Sequence, residues 1–210
     1  MKLLIISPSE STDTEHIIIR NMIDKGITSL HIRKPHMSTE GLKKYLDSFP
    51  EEYHTKMIIH AHHNLLRNFN LKGIHLTKTH RKKKYRLWAQ RQLFRLMRKK
   101  LLKTTSCSSI SSLAESYKDF EYIMLTPIFT HKQEHRPAFS QNTLDDILAK
   151  YPGKIVARGG ATIESIEKAR DIGFTGIAFH NAVWHKPNPL KEFESIHARF
   201  KGLGTPIDVN

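Results

Sequence analysis

Apolar residues in this chain fall into short runs, separated by longer stretches in which they recur every three or four positions. The runs are KLLIIS (2–7), SLHIR (29–33), KMIIH (56–60), GIHL (73–76), EYIML (121–125), KIVAR (154–158) and TGIAF (175–179), with a weaker one at 102–106. Their length, and the Gly and Pro residues that bound them, predict strands. The intervening stretches predict helices at 15–26 (Ile17, Ile18, Met22 and Ile23 on one side), 38–48, 64–69, 81–100, 110–117, 144–150, 162–172 and 189–200. Eight strands alternating with helices over one domain's length predict a compact (β/α)8 TIM barrel spanning 1–200, with 201–210 as a frayed tail. A doubly wound open sheet is the competing arrangement.

The most sharply drawn unit is 154–184: a strand, a Gly159-Gly160 break, a helix and a second strand. Ile163, Ile166, Ala169 and Ile172 make one apolar helix face, with Thr162 as its N-cap and Gly173 as its stop. The glycine pair has two readings. It makes a tight turn between strand and helix, or it lets backbone N–H groups close around a phosphate at a helix start.

Charge changes the picture more than composition does. The 210 residues carry 34 Lys+Arg against 20 Asp+Glu, a net charge of +14, and no acidic residue lies between Glu52 and Glu115. That balance favours anionic partners: phosphorylated metabolites, nucleic acid or a membrane surface. The basic helix predicted at 81–100 is either a solvated face or a nucleic-acid contact, and steep salt dependence of binding distinguishes the second. Neither a signal-peptide core nor a spanning segment is present, and a single cysteine, Cys107, rules out an internal disulfide. These features predict a cytoplasmic protein that does not enter the membrane; a homo-oligomer remains open.

In a parallel barrel, chemistry gathers where strands end. Those ends hold His31, Arg33 and Lys34; His60, His62 and His63; His75, Lys78 and His80; Ser106 and Ser108; Thr126, Thr130, His131 and Lys132; Gly159 and Gly160; and His180, Asn181 and His185. A cationic, hydroxyl-rich rim without carboxylates suits phosphate or pyrophosphate esters. Arg33 alternatively pairs with a buried acid. His60-Ala61-His62-His63 superficially suggests a metal cluster, but no Cys, Asp or Glu stands near it, so no metal site is expected there.

Five segments, in order, resemble one family: thiamine-phosphate synthase and its relative, the thiazole tautomerase TenI. SLHIRKP is similar to the family's Leu-Gln-Leu-Arg-Glu-Lys, GIHL to Gly-Val-His-Leu, and EYIMLTPIFTHK to its Tyr-x-x-x-Gly-Pro-Ile-Phe-x-Thr-x-x-Lys. IVARGGAT resembles Val-Val-Ala-Ile-Gly-Gly-Ile-Thr, and GIAFHNAVWHKPNP resembles the last strand with the x-Asp-Pro beyond it; TTSCSS corresponds more loosely to a segment ending in Ser-x-His. The resemblance implies the joining of hydroxymethylpyrimidine pyrophosphate to thiazole phosphate, with release of pyrophosphate. Its carried-over catalytic residues are Arg33 and Lys132 on the pyrophosphate, Ser106 beside the pyrimidine, His31 on the second strand and Thr130 in a closing loop. Gly159, Gly160, His180 and Asn181 hold the thiazole phosphate. Tautomerisation of the thiazole, with His31, His131 or His180 as proton shuttle, and a non-catalytic phosphate- or nucleic-acid-binding barrel are the alternatives.

The chain departs from the family at definite places. His31 stands for a Gln, Pro35 for a Lys, Arg158 for an apolar residue and Pro127 at the tautomerase's histidine. The family implies Mg²⁺, but its carboxylate positions are Ala61 and His80 here, so no metal ligands are expected. Lys34, Lys78, His80 and Arg81 are expected to supply the missing positive charge as a cationic rim.

Overall fold

Each of the eight apolar runs pairs with the next, and the last pairs with the first. In a computed structural model of the chain, described here for residues 1–27, 29–82, 101–129 and 139–204, the strands are parallel and the barrel is closed. They are β1 (Lys2–Ile6), β2 (Ser29–Ile32), β3 (Met57–Ile59), β4 (Gly73–Leu76), β5 (Leu102–Cys107), β6 (Tyr122–Leu125), β7 (Ile155–Arg158) and β8 (Gly176–Phe179). The (β/α)8 barrel predicted from the alternation is the architecture found, and the open sheet is not.

The helices are α1 (Glu15–Asp24), α2 (Thr39–Asp47), α3 (Glu51–His54), α4 (Lys78–Lys82), α5 (Ile110–Ser116), α6 (Gln141–Lys150), α7 (Ser165–Ile172), α8 (Asn181–Trp184) and α9 (Pro189–Gly202), with a 3-10 turn at His63–Arg67. Local chemistry starts several of them. Ser38 and Ser140 accept N–H groups at the first turns of α2 and α6, and Asn188 does so ahead of Pro189 in α9. Helix α1 buries Glu15, Ile19, Met22 and Ile23, whereas Ile17, expected on the apolar side, is turned outward. Helix α7 begins at Ser165, not Thr162. Thr162 donates its N–H to the Ser165 hydroxyl and so lies in the turn ahead of the helix. Helix α9 carries the chain to Gly202, so the first residues of the expected tail are helical. The basic helix expected at 81–100 is seen only at its start, within α4; residues 83–100, and the tail from 205, lie outside the described residues. Among the described residues no helix is long and apolar enough to cross a membrane.

Packing divides into two layers. Between strands and helices lies the larger core, including Ile5, Met22, Leu30, Leu46, Ile123, Phe179, Phe193 and Phe200. Inside the barrel a smaller cluster holds Leu4, Ile6, Ile58, Tyr122, Met124, Val156 and Ala178. Alternation along each strand sends one residue outward and the next inward. The inward positions of β2, β4 and β5 hold His31, His75, Thr104 and Ser106, and His60 comes directly after β3. Strands β6 to β1, by contrast, point Met124, Val156, Ala178, Leu4 and Ile6 inward.

Candidate functional site

At the C-terminal mouth of the barrel, between the ends of β1 and β2 and those of β6 to β8, lies a cavity of ≈ 510 Å³. This is within the usual range for small-molecule sites. Its walls are apolar where Ile6, Phe129, Ala161 and Ala178 face it. Its polar groups are Arg33, Thr126, Arg158, His180, Asn181 and the Gly159-Gly160 turn.

Arg33 follows β2 directly, and its backbone N–H donates to the Ser7 hydroxyl at 2.9 Å, which ties the β2 end to the β1 end. The guanidinium donates through Nη1 to Ser9 Oγ at 2.5 Å. Arg158 closes β7 and donates through Nη1 to Ser106 Oγ at 3.0 Å. Burial, together with the Arg33 charge, holds the Arg158 pKa below its ordinary value. Among the described residues neither guanidinium forms an ion pair with a carboxylate. Two cations facing one cavity, with no carboxylate among its described lining residues, give it a potential that favours an anion.

The Gly159-Gly160 turn is dictated by its neighbours. Gly160 has φ +68°, and a Cβ there would stand 1.5 Å from the Phe129 carbonyl oxygen, so no other residue fits. Ile128 and Phe129 donate their N–H groups to the carbonyls of Arg158 and Gly159, pinning the segment after β6 against the turn. The steric reading of the glycine pair is therefore sufficient for Gly160. The other reading is compatible with it, since among the described residues the N–H groups of Gly160 and Ala161 meet no backbone acceptor.

His180 and Asn181 stand at the start of α8. His180 Nδ1 lies 2.5 Å from Asn181 Oδ1. An amide oxygen only accepts, so His180 donates from Nδ1 and keeps a lone pair on Nε2. That Nε2 is buried without a hydrogen-bond partner among the described residues. Burial lowers the His180 pKa against the opposing effect of the Asn181 hydrogen bond, which favours the neutral ring.

Of the residues selected from sequence, Arg33, Gly159, Gly160, His180 and Asn181 converge on this cavity, and Ser106 joins them through Arg158. Others do not. Lys34, expected on the cationic rim, is buried and forms an ion pair with Glu15 at 2.6 Å, while its Nζ also donates to the carbonyls of Pro8 and Glu10. Its charge is satisfied inside the fold, because the apolar core around β2 and α1 admits a lysine only with a partner. His31, expected as a catalytic group or proton shuttle, sits below the cavity in the barrel interior. Lys78 and His80 belong to α4 after β4, where His80 Nδ1 lies 3.1 Å from Thr77 Oγ1; neither lines the cavity. Thr130, His131 and Lys132 lie outside the described residues, and so does the Arg81 side chain. Arg158 is the site residue that sequence reasoning missed. It was visible only as a cation where an apolar residue was expected.

The interior histidines form a network. His31 Nδ1 lies 2.9 Å from His60 Nε2, and His31 Nε2 lies 2.5 Å from the Tyr122 hydroxyl. His60 and His75 stack with centroids 4.1 Å apart. His75 reaches Thr104 Oγ1 through Nδ1 (2.9 Å) and Ser106 Oγ through Nε2 (3.1 Å). Burial pushes the His31 pKa down to about 3, with the charges of Arg158 and Lys72 adding to it. The same cause holds His60 and His75 well below the ordinary histidine range. His62 lies beyond the end of β3 with a left-handed backbone and turns away from His60; its ring bonds Thr39 and the Met37 carbonyl.

The donor set can be tested against the Mg²⁺ that the family resemblance implies. Magnesium takes hard oxygen ligands, and the cavity presents two guanidinium groups, an imidazole and an amide, with no carboxylate among its described lining residues. These residues do not fit Mg²⁺.

A closed parallel (β/α)8 barrel with two guanidinium groups facing a cavity at its C-terminal mouth defines a TIM-barrel protein with a cationic mouth. The chain matches the thiamine monophosphate synthase family profile over residues 3–183 and belongs to that family. In fold it is similar to thiamine phosphate pyrophosphorylase from Bacteroides thetaiotaomicron (24% identity, TM-score 0.78, covering 97% of this chain and 98% of that one). It is also similar to thiamine phosphate pyrophosphorylase from Pyrococcus furiosus (16%, 0.74, 96% and 96%). A 3-hexulose-6-phosphate synthase shares the fold at 12% identity and a TM-score of 0.68, covering 95% of this chain and 99% of that one. No curated protein matches the chain in sequence.

Proposed function

We propose that this protein is a thiamine-phosphate-synthase-type transferase that joins hydroxymethylpyrimidine pyrophosphate to thiazole phosphate. The observation that carries the reading is the pairing of Arg33 and Arg158 across one cavity, beside the Gly159-Gly160 turn. In the reaction the bond from the pyrimidine methylene to the pyrophosphate oxygen breaks, and pyrophosphate leaves with the electron pair. The thiazole nitrogen then supplies the pair for the new C–N bond. Charge builds on the departing oxygens, and fixed guanidinium groups facing the cavity are well suited to stabilise it. Arg33, Arg158 and Lys132 act on the pyrophosphate, and Ser106, oriented by Arg158, on the pyrimidine end. Gly159, Gly160, His180 and Asn181 hold the thiazole phosphate, and Thr130 belongs to the loop that closes over it. The apolar wall of Ile6, Phe129 and Ala178 suits the flat rings of both substrates.

The test is thiamine phosphate formation from the two phosphorylated halves, with Mg²⁺ and with EDTA. Product in both conditions, lost in Arg158→Ala, supports the arginine pair. Product only with Mg²⁺ overturns it. One observation favours a second reading, tautomerisation of the thiazole phosphate: His180 lines the cavity with its pKa lowered and with an Nε2 that has no hydrogen-bond partner among the described residues. No coupling product, together with tautomer conversion that His180→Gln abolishes, would move the assignment there.

A further inference from the structure

His31, His60 and His75 come from three successive strands, and all three are buried in the barrel interior. One nitrogen from each can be chosen so that the three atoms lie within 4.8 Å of one another. From this geometry we infer that the three histidines form a binding site for a transition-metal ion of the zinc class, beneath the candidate active site. The inference does not depend on the transferase reading.

The outer contacts support it. In protein metal sites a ligating imidazole usually has its second nitrogen held by a polar partner, which fixes the ring's orientation. His31 Nε2 is held by the Tyr122 hydroxyl, and His75 Nδ1 by Thr104 Oγ1. This leaves His31 Nδ1 facing His60 Nε2, and His75 Nε2 on the side of Ser106. Imidazole nitrogens without carboxylates suit Zn²⁺, Co²⁺ or Ni²⁺, and do not suit Mg²⁺ or Ca²⁺.

The proton balance is simple. In the metal-free network one proton sits between His31 Nδ1 and His60 Nε2. If His31 carries it, the ring shifts to its other tautomer on binding, donates from Nε2 to Tyr122, and releases no proton. Tetrahedral zinc places ligand nitrogens ~3.3 Å apart with each ring edge-on to the ion, so the 2.9 Å pair opens slightly and His75 turns out of its stack on His60. Arg158 and Lys72 make the surroundings cationic, so the expected fourth ligand is a hydroxide formed from a water that gives one proton to solvent, the single proton released on binding.

The test uses the full-length protein stripped with chelator and titrated with Co²⁺, whose visible absorption reports tetrahedral nitrogen coordination. The expected result is one tightly bound Co²⁺ per chain, displaced by Zn²⁺, with affinity reduced at least 100-fold in His60→Gln and in His75→Asn. Because the chain has 14 histidines, the variants are decisive. Thermal unfolding of each metal-free variant checks that it is folded, and Zn²⁺ should raise the midpoint of the parent protein but of neither variant. No bound Co²⁺, or Co²⁺ binding that both folded variants retain, overturns the site and leaves the three rings as a hydrogen-bonded network only.

Discussion

The two sides of the barrel interior solve the same packing problem with opposite chemistry. From β6 round to β1, the inward positions are filled by Met124, Val156, Ala178, Leu4 and Ile6, as in an ordinary barrel core. From β2 to β5, around the single apolar Ile58, they are filled by His31, His60, His75, Thr104 and Ser106, linked to each other and to Tyr122. The apolar side needs only shape. The imidazole side also needs every ring to remain neutral and every nitrogen to keep its partner, so its stability is conditional where the other side's is not.

The largest expected consequence is acid sensitivity. His31 has a folded pKa of about 3, and His63, beside the same strands, one of about 4, both below the unfolded value of 6.5. Below pH 6.5 the unfolded chain takes up protons that the folded chain refuses, so stability falls with pH until the folded values are reached. Each such histidine removes ~1.4 kcal/mol per pH unit within its window. Denaturant unfolding of chelator-treated protein between pH 7 and pH 4 should therefore show a steep decline, and His63→Gln should make it shallower. A flat profile would mean that the interior rings are already charged or solvated at neutral pH.

Next in size is Lys34→Met. The Lys34–Glu15 pair lies behind β2, and Tyr45 donates to the same carboxylate at 2.7 Å. Removing the lysine leaves Glu15 buried without its cation, at a cost of ~3–5 kcal/mol. Affinity for inorganic phosphate should not change, because Lys34 does not line the cavity. Arg158→Ala should do the reverse. Phosphate affinity should drop at least tenfold, ~1.4 kcal/mol, since one of two facing guanidinium groups is gone. Phosphate titrations of both variants separate a charge that holds the fold from a charge that holds a ligand. Equal losses of affinity would break that distinction.

Local pattern made the barrel legible, because each strand and most helices announce themselves by period, cap or glycine. The cavity was legible in part. Arg33, Gly159, Gly160, His180 and Asn181 sit at strand ends, and strand ends share one mouth. What could not be read was which cation serves which side. Lys34 directly follows Arg33 in sequence, yet one pairs with Glu15 and the other faces the cavity; the choice depends on a helix 19 residues upstream. The histidine cluster escaped for a related reason. Searching along one strand sets His60 against His62, whereas its actual partners come from the neighbouring strands β2 and β4.

The smallest expected effect gives the cleanest comparison of the two sides. Tyr122 and Met124 are alternate inward residues of the same strand, both fully buried in the apolar cluster, and of the two Tyr122 also bonds the imidazole network. Tyr122→Phe preserves the ring and removes only the hydroxyl beside His31 Nε2. Met124→Leu nearly preserves volume and removes no hydrogen bond. A lost partner at a buried polar nitrogen costs ~1–3 kcal/mol, while a volume-conserving apolar exchange costs less than ~1.5 kcal/mol. Thermal unfolding at pH 7 should thus place Tyr122→Phe below Met124→Leu, and the gap should persist toward pH 5, because burial and not the hydroxyl holds His31 neutral in both variants. If the two variants were equally stable at both pH values, the Tyr122 contact would contribute nothing to the network, and the imidazole side would depend on shape as the apolar side does.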